Sequence, residues 1–115
     1  MWKKAKNQNQ VLEAVSKPER LRIVQALYMG PLPLKALKNE IGRGYSDLLH
    51  HLSVLEKANL VSIIRLKPRL TMAYLRNDVN IKIQSGGETV VKLQKREPPV
   101  ESELMQSYWK LLLQH

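Results

Sequence analysis

Apolar residues recur at helical spacing through the first half of the chain, and this pattern predicts four short helices. The predicted helices cover residues 7–16, 18–29, 33–41 and 45–58. Residues that stop helices stand between them. Gly30-Pro31 follows the second helix, Gly42-Arg43-Gly44 makes a tight turn after the third, and Asn59 tolerates the left-handed conformation that ends the fourth. The chain is therefore expected to begin as a group of short packed helices.

The start of the second helix and the buried faces of three helices can also be predicted. Ser16-Lys17-Pro18-Glu19 has the form of a capping box, in which Ser16 accepts from an early backbone N–H and Glu19 reaches back. The second helix is expected to bury Leu21, Val24, Leu27 and Tyr28, the third Leu34, Leu37 and Ile41, and the fourth Leu48, Leu52 and Leu55.

After residue 59 the helical period gives way to strand-like runs. Residues 60–66 and 70–76 flank Lys67-Pro68-Arg69, and this pattern predicts a hairpin with a basic tip. One face of this hairpin carries Val61, Ile63, Ala73 and Leu75, and the other carries Ile64, Leu66, Leu70, Met72 and Tyr74. Both faces are largely apolar, so the second one needs a cover. A second hairpin, the last helix or a partner subunit could supply it.

A second hairpin is expected from Val79 to Gln94, around Gly86-Gly87. A two-residue loop would pair Ile81 with Lys92 and divide the apolar residues between two faces. A three-residue loop, Gly86–Glu88, pairs Ile83 with Val91 and Ile81 with Leu93, which gives one apolar face. Because the buried face sets the register, we expect the three-residue loop. A last helix is expected over residues 100–113.

The positive charge of the chain is concentrated in its first two thirds. The 115 residues carry 19 Lys and Arg against 10 Asp and Glu, a net charge of +9. Residues 1–76 hold 14 basic and 5 acidic residues, whereas residues 77–115 hold 5 of each. This asymmetry indicates a polyanion-binding part joined to a neutral part, with nucleic acid the commonest partner and an anionic membrane surface the next. On charge alone, a solubilising surface is an equally good interpretation.

Length and composition exclude several other classes of protein. A chain of 115 residues fits one domain, so residues 77–115 are expected to form one compact unit with a nucleic-acid-binding domain over residues 1–76. No apolar run approaches the roughly 20 residues of a membrane span, and no apolar stretch follows the basic first residues, so we expect a cytoplasmic protein. The absence of cysteine excludes disulfides, thiol catalysis and thiolate metal sites.

The predicted order of elements is that of a winged helix-turn-helix, an α+β fold in which a hairpin wing follows the second helix of the pair. The stretch from Ser16 to Arg76 resembles the ArsR-type winged-helix family. Pro18-Glu19-Arg20-Leu21-Arg22-Ile23 is similar to the family's proline-x-arginine-leucine-arginine-isoleucine opening. Leu49-His50-His51-Leu52-Ser53-Val54-Leu55-Glu56-Lys57-Ala58-Asn59-Leu60-Val61 is similar to its histidine-leucine-x-valine-leucine … alanine-glycine-leucine-valine signature.

The resemblance implies a dimeric transcriptional regulator that binds double-stranded DNA. No cofactor is expected. Several departures from the family pattern matter. Pro33 and Lys35 stand where the family's metal sensors carry two cysteines, so no metal is expected. Asn59 replaces the usual glycine, Leu66 and Leu70 flank the wing tip, and the second hairpin is additional.

In such a regulator, helix 45–58 would enter the major groove and wing 60–76 would contact the backbone. With Leu48, Leu52 and Leu55 inward, the opposite face near the helix start is expected to meet DNA. The expected DNA-binding residues are Arg43, Tyr45, Ser46, Leu49, His50, Ser53, Lys67 and Arg69. Leu49 as an additional core residue is an equally open alternative. Adjacent His50 and His51 point about 100° apart on a helix, which argues against a metal site.

The homodimer is expected to use the first and last helices, through Leu12, Val15, Leu104, Met105, Tyr108, Leu111 and Leu112. Two alternatives stay open: a winged-helix module for protein assembly, whose Tyr45 and Leu49 face would contact protein, and a nonspecific architectural nucleic-acid binder. The sequence has no P-loop, Gly-rich dinucleotide turn or other catalytic motif, so an enzyme is not expected.

Overall fold

The computed structural model describes residues 1–113, with helices concentrated before residue 58 and strands after it. The helices are α1 (Gln8–Ala14), α2 (Pro18–Leu27), α3 (Leu34–Ile41), α4 (Tyr45–Lys57) and α5 (Glu101–Leu113). The strands are β1 (Lys3–Lys4), β2 (Leu32–Pro33), β3 (Val61–Lys67), β4 (Leu70–Leu75), β5 (Asn77–Ile83) and β6 (Thr89–Lys95). The predicted α+β class is confirmed; the two short strands β1 and β2 were not predicted.

The helical core is built mainly from α2, α3 and α4. The predicted buried faces of α3 and α4 are confirmed: Leu34, Leu37 and Ile41 in α3, and Leu48, Leu52 and Leu55 in α4. The predicted face of α2 is right only in part. Leu27 is buried and Val24 packs against the core, as expected, but Leu21 and Tyr28 are 43% and 59% exposed. The other buried residues of α2 are Arg20 and Ile23, so the buried face is turned by about one residue from the predicted one and includes an arginine.

The capping box predicted at the start of α2 does not form. The residue that precedes the first turn is Lys17, and the Ser16 hydroxyl donates to the Glu13 carbonyl at 2.7 Å. Ser16 thus satisfies the end of α1 rather than the start of α2, because helix ends offer unpaired carbonyls as well as unpaired N–H groups. Glu19 accepts from its own backbone N–H, and this hydrogen bond is the main reason that its pKa is lowered.

The wing is the hairpin of β3 and β4, and β2 joins β4 on the other side in an antiparallel sheet of order β2-β4-β3. Val61 lies opposite Leu75 and Lys67 opposite Leu70, with a register shift between Arg65 and Lys67 near the tip. Val61, Ala73 and Leu75 belong to the same buried cluster as the helices, so one face of the sheet closes the helical core.

The terminal helix α5 of the same chain covers the outer face of the wing. Leu104 of α5 is 1% exposed and clusters with Leu70 and Met72, and Leu66, Met105 and Tyr108 pack around them. Of the three possible covers for that face, the last helix is therefore the one observed. Leu104, which was expected in a dimer interface, is buried against the wing of its own chain.

The second hairpin, β5 and β6, forms a sheet with β1 in the order β1-β6-β5. Ile81 lies opposite Val91 and Ile83 opposite Thr89, so the predicted register is wrong by two residues. The loop is three residues long but lies one position earlier, closed by the Gln84 N–H on the Glu88 carbonyl at 2.8 Å. Because a shift of two leaves every side chain on its predicted face, Val91 still reaches the core. None of the helices in residues 1–113 is long and apolar enough to cross a membrane.

Candidate nucleic-acid interface

The helix-turn-helix consists of α3, a glycine turn and α4. Gly42 ends α3 in the left-handed conformation, with φ of 66°, and donates its N–H to the Lys38 carbonyl at 3.1 Å. The residue before α4 is Gly44, which has no side chain to cap the helix. The first N–H groups of α4 therefore point outward from the turn, where they attract phosphate oxygens.

The outward face of α4 carries the predicted contact residues. Tyr45 and Leu49 are each 46% exposed, Ser46 and His50 are exposed, and Ser53 is half-buried. Positions 46, 49, 50 and 53 follow one stripe of the helix, opposite the buried leucines. The exposure of Leu49 shows that it is not an additional core residue. The face therefore offers hydroxyls, an imidazole and one apolar side chain to a partner.

Three basic residues were predicted to contact phosphates. Lys67 and Arg69 are exposed at the wing tip, and Arg65 braces that tip by donating to the Pro68 carbonyl at 2.9 Å. Arg65 was missed, because a basic residue inside a strand gives no signal that it turns back on the loop. Arg43 lies in the turn before α4, with its guanidinium 4.0 Å from the Glu19 carboxylate. Its side chain is largely exposed, so this ion pair leaves it accessible.

A groove of about 700 Å³ connects the start of α4 with the wing tip. Tyr45 and Arg69 line it together, so two of the predicted residues share one surface. Lys35 of α3 lines the groove on one side, and Leu111 and Leu112 of α5 on another. The groove thus combines three cations, Lys35, Arg65 and Arg69, with apolar and phenolic surface.

A buried arginine positions α4 from behind. Arg20 donates to the Ala14 carbonyl at 2.7 Å and to the Glu13 carbonyl at 3.2 Å, and it lies 3.2 Å from Nδ1 of His51. A guanidinium has no acceptor, so Nδ1 must accept and the ring must be neutral. Burial, and secondly the Arg20 charge, lower the pKa of His51. Arg20 therefore ties the end of α1 to the middle of α4, a role that hydropathy patterning could not detect.

No three His, Asp or Glu side chains within residues 1–113 lie close enough together to hold a metal ion. His50 and His51 have ring centroids 5.8 Å apart, but His51 Nδ1 faces Arg20.

Comparisons with known proteins match the helix-turn-helix and the start of the wing. A family model described as a helix-turn-helix domain matches residues 15–64. The crystal structure of NolR from Sinorhizobium fredii is 33% identical over 61% of this chain and 69% of that chain, with a TM-score of 0.56. The transcriptional repressor BigR from Xylella fastidiosa is 28% identical over 58% of this chain and 67% of that chain, with a TM-score of 0.54.

A structure described as an ArsR family transcriptional regulator shares the fold, with 18% identity, a TM-score of 0.54, and coverage of 58% of this chain and 72% of that chain. A comparison with curated protein sequences gives no significant match. The matched part includes α2 to α4 and the start of the wing, which are the elements that build the face described above.

Proposed function

The chain belongs to the ArsR-type family of winged helix-turn-helix, DNA-binding transcriptional regulators, and from this premise we propose that it reads the sequence of double-stranded DNA as a homodimer. In this proposal α4 enters the major groove and the wing of β3 and β4 contacts the sugar-phosphate backbone. The proposal includes no catalytic step and no cofactor.

The observation that carries the proposal is the exposed stripe of α4. Ser46 and Tyr45 have hydroxyls that can donate to base edges or phosphates, and Leu49 offers an apolar surface suited to a thymine methyl group. These three side chains lie at the start of the helix, where a recognition helix meets base edges. His50 and Ser53 extend the same face by one turn. Leu49 is 46% exposed within this polar stripe, so its side chain is accessible to a partner.

The basic residues around α4 supply contacts that do not depend on base sequence. Lys67 and Arg69 project from the wing tip, and Arg43 lies beside the uncapped start of α4. Phosphate contacts of this kind set the position and orientation of a reading helix. Arg43 would exchange its long ion pair with Glu19 for a phosphate, at little cost because both groups reach solvent.

A homodimer is supported by an exposed apolar strip on the side of α2. We define the apolar strip as Val15, Leu21, Tyr28, Met29, Trp109 and Leu113. Val15, Leu21 and Tyr28 line one concavity, and Met29, Trp109 and Leu113 line another, while Tyr28 and Met29 are neighbours in the chain. Large exposed apolar patches mark interfaces. The strip joins the end of α1 to the outer face of α5. The proposed dimer therefore still uses the first and last helices, but through different residues of α5.

A twofold dimer that reads two half-sites must place its two α4 helices on successive major grooves, about 34 Å apart. Of the dimer residues expected from the sequence, Val15 belongs to the strip. Leu12, which is half-buried, packs against the helical core, whereas Met105 and Tyr108 pack on the wing. Leu111 and Leu112 line the groove near Tyr45 and Arg69 instead.

The proposal is tested by measuring the affinity of single variants for a selected binding site and for random duplexes. Ser46→Ala and Leu49→Ala should each lose about 1–3 kcal/mol of discrimination at one or two positions per half-site. Their matched controls are Ser102→Ala and Ile83→Ala, which make the same or a closely similar change at exposed positions of α5 and β5.

The controls should keep both affinity and discrimination. If Ser46→Ala and Leu49→Ala bind all sequences like the parent chain, α4 does not read bases. A parent chain that binds random duplexes as tightly as selected ones would favour the architectural alternative, and a chain that binds no duplex would favour the assembly module.

A further inference from the structure

A cleft lies at the end of the molecule where α4 ends and the wing begins. It encloses about 690 Å³ between β1, α1, the residues after α4, and the ends of β4 and β6. Its charged lining is entirely basic: Lys3, Lys4, Lys6, Arg76, Lys95 and Arg96 line it, and no Asp or Glu of the described part of the chain does. We call this the basic cleft.

The cations of the basic cleft are largely without carboxylate partners. Among residues 1–113 the ion pairs within 4.0 Å are Arg43 with Glu19 and Arg96 with Asp78. Within that described range, Arg96 is therefore the one member of the cleft that is neutralised in this way. Lys4 also lies directly opposite Lys92 in the β1 and β6 pairing. Lys92 does not line the cleft, but like charges opposite each other destabilise a sheet, so an anion bound beside Lys4 would reduce this repulsion.

The basic cleft lies at the opposite ends of α4 and the wing from the proposed DNA surface. Ala58 and Asn59 line it, whereas Tyr45 stands at the other end of α4, about 20 Å away at 1.5 Å per residue. Ser62 and Tyr74 line it at the base of the wing, about 17 Å of strand from the basic tip. Both α4 and the wing therefore carry the proposed DNA surface at one end and the basic cleft at the other.

We propose that the basic cleft binds a small anionic molecule that carries two or more phosphoryl groups. Its volume falls within the range of small-molecule sites, about 300–1,000 Å³. Lysine ammonium groups bind phosphate oxygens as point charges, and five cations spread around one cleft suit several linked phosphoryl groups better than one. The hydroxyls of Ser62 and Tyr74 supply further donors. This proposal stands on the cleft alone and does not depend on how the chain reads DNA.

The link between Arg76 and Asn59 places the cleft beside the joint between α4 and the wing. Arg76 donates to the Asn59 side-chain oxygen at 3.3 Å. The side-chain amide of Asn77 donates to the backbone carbonyl of Asn59 at 2.7 Å. Asn59 is in the left-handed conformation, with φ of 62°, where the chain leaves α4. A phosphoryl group that binds Arg76 would therefore lie next to Asn59, the residue at which the chain leaves α4 and turns into the wing.

The test is calorimetric titration of the full chain with inorganic tripolyphosphate at constant ionic strength. Saturable binding is expected, and the triple variant Lys4→Ala, Lys6→Ala, Lys95→Ala should weaken it about tenfold or more. The matched control is the triple variant Lys67→Ala, Arg69→Ala, Lys82→Ala, which has the same net charge and leaves the cleft intact. It should bind tripolyphosphate like the parent chain. All six residues are exposed, so both variants are expected to fold, and circular dichroism checks this.

Equal weakening in the two triple variants would overturn the proposal, because it would show general attraction to a basic protein. Absence of saturable binding to the parent chain would also overturn it. A duplex-binding arm distinguishes a small ligand from the DNA backbone. The cleft variant should keep most of its duplex affinity; if it loses as much as the wing variant, the cleft is part of the DNA surface and the proposal fails. Neither result depends on whether α4 recognises a base sequence.

Discussion

At the scale of single residues, Arg20 is unusual because it is a charged side chain buried among the helices. Charged residues are rarely buried, yet Arg20 is 5% exposed in the core of the helices. Its donors meet two carbonyls at the end of α1 and the ring of His51. The bond to Ala14 satisfies a carbonyl at the end of a helix, and together these hydrogen bonds offset the cost of burying the charge.

The neutral state of His51 makes the stability of the fold depend on pH. The pKa of His51 is lowered in the folded chain, first by burial and then by Arg20. Between that pKa and the ordinary value near 6.5, the unfolded chain binds more protons than the folded one. Neutral His51 therefore makes its full contribution to the free energy of unfolding above about pH 6.5. The free energy of unfolding is expected to fall as the pH drops from there through the folded pKa of His51. Urea unfolding at a series of pH values measures this.

The control for this prediction is the neighbouring histidine. His51→Gln should remove the loss of stability in the weakly acidic range, while His50→Gln, at an exposed position, should keep it. Glu19, whose pKa is also lowered, acts only at lower pH, below the ordinary value of a glutamate. If His51→Gln keeps the same dependence below about pH 6.5, another group is responsible.

The exposed face of α4 follows from the sequence, whereas the burial of Arg20 does not. The exposed positions of α4 could be predicted because three leucines at helical spacing fix which face is inward. The burial of Arg20 could not, because a pattern of apolar and polar letters assigns arginine to the surface. Its partners lie six and 31 residues away, on other helices, and only the packed structure brings them together.

At the scale of elements, α5 has one face inside its own subunit and one face outside. Apolar residues on both faces of the wing predicted that something covers the second face. The sequence could not say what, because hydrophobic burial has no direction and a partner would serve as well as the chain's own helix. The structure places Leu104 on Met72 and Leu70, while Trp109 is 54% exposed on the other side.

The two faces of α5 predict two different losses. Leu104→Ala should lower the free energy of unfolding by about 2–5 kcal/mol, because it leaves a cavity under the wing. Trp109→Lys should leave the fold intact but shift the sedimentation of the chain from dimer to monomer, since it puts a charge into the proposed apolar strip. Chemical unfolding and sedimentation velocity on both variants measure the difference.

Leu112→Ala serves as the control for α5, because Leu112 is exposed and lies outside the apolar strip; it should change stability by no more than about 0.5 kcal/mol. A fully dimeric Trp109→Lys chain would show that the apolar strip is not the interface. If Leu104→Ala instead dissociates the chain without loss of stability, α5 covers the wing of a partner and not its own.

The second hairpin shows a different limit of prediction at this scale. Alternation of apolar residues fixed which side chains share a face, and that part was confirmed. It did not fix the position of the loop, because registers that differ by two residues bury the same face. The observed loop is selected by local geometry, with Gly86 and Gly87 at φ of 97° and 85°.

At the scale of the whole molecule, the positive charge is divided between two ends. One end carries Arg43, Lys67 and Arg69 around the start of α4, and the other carries the basic cleft. The net charge of +9 indicated a polyanion-binding protein but could not show this division. Lys3 and Lys4 are far in sequence from Lys95, and the pairing of β1 with β6 brings them together. Both ends attract anions at long range, but each binds through different residues.

The division of charge leads to a prediction about salt. A dimer that neutralises 6–10 phosphates should lose about 10³–10⁵-fold in duplex affinity between about 50 and 200 mM salt. Lys67→Ala with Arg69→Ala should weaken the binding of specific and random duplexes alike. It should also reduce the slope of log affinity against log salt by about 0.9 for each phosphate that is no longer neutralised.

The control pair, Lys82→Ala with Lys92→Ala, removes the same charge from the second hairpin and should leave the slope unchanged. Fluorescence anisotropy across a salt series measures both. An equal decrease of slope in the two pairs would mean that the wing tip acts only through net charge, and a change in site preference with the wing pair would mean that the tip reads bases.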